Sequence, residues 1–206
     1  MTFPDQKFTS PKKYVDAYFK NHSKAVSSVD GEKLADAILI LQHLYESDGT
    51  LYVCGNGGSA SISNHLACDH GKLLASDTDL LPRVQSLAAN IEVITAIAND
   101  ISYDEIFVHQ LQLLAEKGDV LMTISSSGNS ENVVRAATWA KNKGLEIIAL
   151  TGFNGGRTAK LATVNLHVDG DNYGIIEDVH QSLMHLMGQY MRHARMSEDL
   201  IKDRRF

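Results

Sequence analysis

DVLMTISSSGNS, residues 119–130, passes without transition from a run of apolar residues into a cluster of hydroxyls. Val120 to Ile124 do not alternate with polar residues, and a strand of that kind is buried on both faces. Ser125, Ser126, Ser127, Gly128, Asn129 and Ser130 follow directly and open a helix expected over 130–143, which ends before Gly144. One serine suffices for an N-cap. Four serines in six residues exceed that need. Hydroxyls beside free helix N–H groups form a phosphate cradle that needs no cation. The sequence admits a polar turn here as the plainer alternative.

The same grammar extends in both directions. LEIIAL (145–150) reads as another buried strand, and TVNLHV (163–168) alternates, which suits an edge. LYVC (51–54) is a short apolar run that stops at Gly55, and Val84–Leu87 is a further strand candidate. Helices are expected over 11–28, 31–47, 59–70, 91–98, 103–116 and 174–195, from apolar positions three and four apart. Residues 70–83 read as a long mixed loop. Strand–helix alternation with continuous apolar strands predicts an α/β fold, a parallel sheet between two helical layers. One domain over 1–206 fits the length, with a helical extension at about 11–48.

Composition limits the partners. The chain is 44% hydrophobic and 21% charged, with a formal net charge of −6. No basic surface is advertised, so nucleic acid is not an expected partner. An anion can still bind, because backbone N–H groups do not enter a charge count. No stretch approaches the ~18 apolar residues of a membrane helix, and the first residues, MTFPDQKFTSPKKYVDAYF, lack the apolar core of a signal peptide. Two cysteines, Cys54 and Cys68, are too few for a disulfide framework and fit a reducing cytoplasm.

A second loop resembles the first in placement. Asn56, Gly57, Gly58 and Ser59 lie between the strand 51–54 and the helix 59–70. Glycines there allow close backbone approach, and the following helix presents free N–H groups. A glycine turn capped by Ser59 is the alternative. The spacing is neither a Walker loop nor a dinucleotide fingerprint. On helix 59–70, His65 and Asp69 lie four apart, or about 40° round the axis, a spacing that metals and acid–base pairs use. His70 is turned away by about 140°. Cys68 reads as a small buried residue rather than a ligand. On the last helix, Glu177 and His185 are about 80° and about 12 Å apart, so spacing alone pairs Glu177 better with His180 or Gln181. Satisfied polar residues at an interface are the open alternative for this helix.

The segments CGNGGSASISNHLACD (54–69), AIANDISYDEIF (96–107), ISSSGNSENVVRAATWAKNKG (124–144) and IIALTGFNGG (147–156) together resemble the phosphoheptose isomerases, over about residues 11–193. The resemblance implies the sugar isomerase (SIS) fold, a flavodoxin-like doubly wound sheet, in a homotetramer with sites between subunits. It implies conversion of a ketose phosphate to an aldose phosphate through an enediol, with sedoheptulose 7-phosphate giving D-glycero-D-manno-heptose 7-phosphate. Carried over, Ser125, Ser126, Ser127 and Ser130 hold the phosphate, and Asn56, Gly57, Gly58, Ser59 and Asp100 contact the sugar. Lys72 falls near a family arginine across a one-residue gap. The acid–base pair falls on Asp69 and His185. Some members hold zinc at four positions, which here are His65, Asp69, Glu177 and His185, and Glu177 also faces substrate.

Two departures stand out. Asp69 replaces a glutamate and is shorter by roughly 1 Å, a scale to which base geometry is sensitive. Glu177 replaces a glutamine and adds negative charge, which favours a metal or raises an acid's pKa. Because one non-catalytic relative that binds a replication initiator lacks both the acid and the histidine, a binding module is the rival reading. Here both positions carry titratable groups.

Overall fold

The computed structural model describes residues 2–206. The chain runs α1 (Pro11–Ser27), α2 (Gly31–Glu46), β1 (Thr50–Cys54), α3 (Gly58–Cys68), a π turn (Asp69–Leu73) and α4 (Leu74–Asp77). It continues with β2 (Arg83–Ser86), α5 (Ile91–Asp100), a 3-10 turn (Tyr103–Glu105), α6 (Val108–Leu114), β3 (Val120–Ser125) and α7 (Glu131–Lys143). It ends with β4 (Glu146–Thr151), α8 (Gly156–Leu161), β5 (Val164–His167), α9 (Tyr173–Arg195) and α10 (Glu198–Asp203).

The five strands form one sheet in the order β2-β1-β3-β4-β5, with every neighbouring pair parallel. That is the flavodoxin-like winding, and β5 is at an edge as its alternation predicts. The continuous apolar runs have the expected cause. Leu51, Val53, Met122, Ile124, Ile148 and Leu150 pack under α2, α3 and α9 on one face. Tyr52, Cys54, Leu121 and Ile147 pack on the other with Leu111, Val133, Ala137 and Ala140. Neighbouring residues of one strand thus point into two separate cores.

The expected loop 70–83 is mostly helical. The helix that starts at Gly58 continues through the π turn and α4 to Asp77, leaving only 78–82 irregular. A π turn carries the helix through Gly71, and Leu74 and Leu80 anchor the far side in the core. The 103–116 helix splits into the 3-10 turn and α6, and α8 and α10 are short helices without a strong sequence period. The C-terminal end of α9 is clamped to this rod. Arg192 binds Asp77, which also accepts from Arg204 Nε at 2.9 Å, and Arg195 reaches Asp79 at 2.8 Å as well as Glu46. The α3–α4 rod and α9 are therefore held side by side, and they carry the titratable groups of interest.

Candidate active site

β1 and β3 are neighbours in the sheet, but the chain leaves β1 toward β2 and returns to β3 on the other side. Ligands in such sheets bind at the carboxyl ends of the strands where the winding reverses. The glycine loop after β1 and the serine loop after β3 both lie there. A cavity of about 150 Å³ is lined by Asn56, Ser59, Ile124, Ser125, Ser126, Ser127, Ser130, Tyr173 and Glu177.

The chemistry of this cavity follows from what is left unpaired. Helices α1, α2, α5, α9 and α10 each have a side-chain N-cap. Helices α3 and α7, whose N-termini face the cavity, have none, as is also true of α4, α6 and α8. In α7 the Val133 amide donates to Asn132 Oδ1 at 2.9 Å, which leaves the amides before it to face an anion. Ser126 Oγ is buried without a partner. A hydroxyl left so calls for an acceptor from outside the chain. Gly128 shapes the loop, with φ of 62° and a carbonyl that receives Arg157 N at 2.8 Å and Thr158 N at 3.0 Å. A Cβ there would lie 2.8 Å from the Gly155 carbonyl carbon, so only glycine lets the two loops meet.

Asn56 is less free than the sequence suggests. It exchanges two amide hydrogen bonds of 2.9 Å with Asn132 and accepts a third, also 2.9 Å, from Tyr103 Oη. Asn132, Tyr103 and Tyr173 were not singled out from sequence. None of the three lies in either loop motif; Asn132 sits in the mixed first turn of α7 beside Glu131. Lys72 and Asp100 are exposed and do not line this cavity; Asp100 accepts from Asn99 Nδ2 at 2.8 Å.

Farther along α3 and α9 from the residues that line this cavity, three of the four residues named as metal ligands converge. His65, Asp69 and His185 bring one ligand atom each to within 4.8 Å of one another. His65 Nε2 is 3.4 Å from Asp69 Oδ1, and His185 Nε2 is 3.5 Å from Asp69 Oδ2. The two rings meet edge to face with centroids 5.0 Å apart. Donors on a tetrahedral zinc stand about 3.3 Å apart, given bonds of about 2.0–2.1 Å. The set fits a metal in chemistry, with its three ligand atoms inside a 4.8 Å span that a bound ion would draw closer.

Glu177 is elsewhere. Its carboxylate lies over Gly58, where a Cβ would come within 2.7 Å of Glu177 Cδ, and it faces the serine cavity. Burial, and then the charge of Asp178, pushes its pKa up. Within one chain the metal-capable set thus narrows to His65, Asp69 and His185, and the fourth group at the histidines is Gln181. The eight-residue spacing from Glu177 to His185 is the reason, since it aims the two side chains at different targets.

His70 and His180, the other histidines raised by the spacing of these two helices, lie in the core. His70 is buried, with Nδ1 2.9 Å from Tyr45 Oη and Nε2 3.3 Å from the Met184 carbonyl. His180 is buried with Nε2 3.2 Å from the Thr151 carbonyl. Burial lowers both pKa values to about 4, so both rings are neutral. Cys68 is exposed rather than buried, while Cys54 is buried and its thiol pushed up to about 12. The outward turn of α3 at position 68 accounts for the first.

Comparison with known proteins agrees with this architecture. The SIS domain family matches residues 14–152. The phosphoheptose isomerase of Nitratidesulfovibrio vulgaris is 38% identical over 172 residues, 84% of this chain and 78% of that one. The structure of the phosphoheptose isomerase from Neisseria gonorrhoeae superposes with a TM-score of 0.82 and 30% identity, covering 89% of this chain and 100% of that one. That of a phosphoheptose isomerase from Francisella tularensis gives 0.81 at 27% identity, covering 90% and 100%. By the extent of these matches, the chain belongs to the phosphoheptose isomerase family of SIS-domain proteins.

Proposed function

We propose that this protein is an aldose–ketose isomerase that converts sedoheptulose 7-phosphate to D-glycero-D-manno-heptose 7-phosphate through an enediol. The observation that carries the reading is that α3 and α9, which line the serine cavity through Ser59, Tyr173 and Glu177, also bring together the separate cluster of His65, Asp69 and His185. Ser125, Ser126, Ser127, Ser130 and the free amides of α7 hold the phosphate. Gly57 and Gly58 let the sugar approach the backbone, and Ser59, Asn56 and Glu177 orient its hydroxyls. Phosphate binding far from the reacting carbons supplies positioning energy. Asp69 and His185 move the protons between carbons 1 and 2 and their oxygens, one as base and one as acid.

Zinc is the proposed cofactor, on His65, Asp69 and His185. A bound zinc would supply polarisation of the carbonyl and stabilise negative charge on the enediolate oxygens. Asp69 is a shorter base than a glutamate, and its contacts with both histidines aim it without a longer stem.

The assembly is a homotetramer in the cytoplasm with sites between subunits, where Lys72 and Asp100 would reach a neighbouring copy's cavity. Exposed apolar side chains on α1 (Val15, Phe19, Val26) and α9 (Leu186, Tyr190) support this, because a single chain leaves them in water. No helix among the described residues is long and apolar enough to cross a membrane.

A panel of phosphorylated ketoses, with metal analysis of the purified protein, tests the reading. Conversion of sedoheptulose 7-phosphate by protein carrying about one zinc per chain is the expected result. Binding of sugar phosphates without conversion of any would move the protein to the non-catalytic class.

A further inference from the structure

Gln181 sits one helical turn before His185 on α9 and reaches across to α3. Its Nε2 is 2.8 Å from His65 Nδ1 and 3.3 Å from His185 Nε2. An amide nitrogen carries two hydrogens, one for each ring. In this arrangement His65 accepts at Nδ1, so its own proton is on Nε2, the atom that faces Asp69 Oδ1 at 3.4 Å. The Nε2 lone pair of His185, the atom facing Asp69 Oδ2, is occupied by the same amide. As placed, the amide favours a hydrogen on the Asp69 side of His65.

A cation would need the reverse. His65 would have to offer the Nε2 lone pair, and its proton would move to Nδ1. That N–H needs an acceptor, as metal-bound histidines regularly have. Gln181 alone among the described residues reaches Nδ1, and a half-turn of its amide would present Oε1 there.

We propose that Gln181 is a positioning residue whose amide orientation sets which nitrogen of His65 carries the proton. It thereby decides whether the cluster offers Asp69 a hydrogen or a metal ion a lone pair. The inference rests on the reading of His65, Asp69 and His185 as a metal-capable centre.

Two variants of the full-length protein separate the possibilities. Gln181→Glu fixes an acceptor beside Nδ1, and Gln181→Leu removes the partner. Nitrogen-15 spectra of the metal-free proteins, assigned with His65→Asn, report the His65 tautomer directly. Wild type should show the Nε2–H form and Gln181→Glu the Nδ1–H form. Zinc affinity, measured by chelator competition, should fall on the order of tenfold or more in Gln181→Leu, the scale of outer-shell losses, while the metal-free thermal midpoint stays at the wild-type value. An identical His65 tautomer in wild type and Gln181→Glu would overturn the proposal, as would wild-type zinc affinity in Gln181→Leu. A wild-type protein that binds no zinc would refute the metal reading instead, and the tautomer comparison would still decide the role of Gln181.

Discussion

Replacing Gly58 with alanine tests the placement of Glu177 without touching either loop's polar groups. The new Cβ would stand 2.7 Å from Glu177 Cδ, while ordinary contact begins at 3.4 Å, so the carboxylate must retreat by about 1 Å. Misplacement on that scale costs about 10²-fold in rate. Gly58 is the first residue of α3 and has no positive φ, so alanine is not strained there and should raise helix stability by up to about 1 kcal/mol. The expected variant is as stable as wild type or slightly more so, with kcat/KM for the isomerisation down about a hundredfold. Steady-state kinetics beside a thermal melt give both numbers. A Gly58→Ala protein within twofold of wild type would refute the claim that the Glu177 carboxylate works over the glycine loop.

Other outcomes follow from the same geometry. Ser126→Ala removes a buried hydroxyl without a partner, so the unliganded protein should be unchanged or stabilised by about 1 kcal/mol while KM for the sugar phosphate rises; an unchanged KM would take Ser126 out of the phosphate site. Folding stability should fall as the pH drops from about 6.5 to about 4, because the unfolded chain takes up protons that buried His70 and His180 refuse in the fold. A stability curve flat across that window, from denaturant titrations at each pH, would contradict their burial as neutral rings. His185→Ala should abolish turnover while substrate still binds, whereas His180→Ala should act mainly on stability; normal turnover in His185→Ala would move the proton-transfer role away from His185.

Much of this was legible in the sequence because each signal was local. Val120–Ile124 reads as a strand buried on both faces by composition, and the two loops open helices α3 and α7 as their residues suggest. His65 and Asp69 belong together by helix geometry alone, and His70 turns away from them into the core as its angle requires. What depended on two helices meeting was not legible. Spacing brought Gln181 forward only as a partner for Glu177, yet its contacts are with His65 on another helix and with His185. Family carry-over grouped Glu177 with the histidines, but about 12 Å along the axis of α9 separates their stations, and Gly58 leaves the room that Glu177 occupies. The π turn at Asp69–Leu73 also escaped, since Gly71 carries the same local signature as a helix end. Such turns recur at functional sites, and this one begins at the proposed base.

The central claim is proton transfer between carbons 1 and 2 of a phosphorylated ketose. Its most direct test is proton NMR of sedoheptulose 7-phosphate incubated with the zinc-loaded protein in deuterium oxide. The account predicts an aldose 7-phosphate carrying solvent deuterium at carbon 2, formed by wild type and not by His185→Ala. Unchanged ketose with no deuterium at carbon 1 and no aldose, in a protein that binds the sugar phosphate, would contradict it.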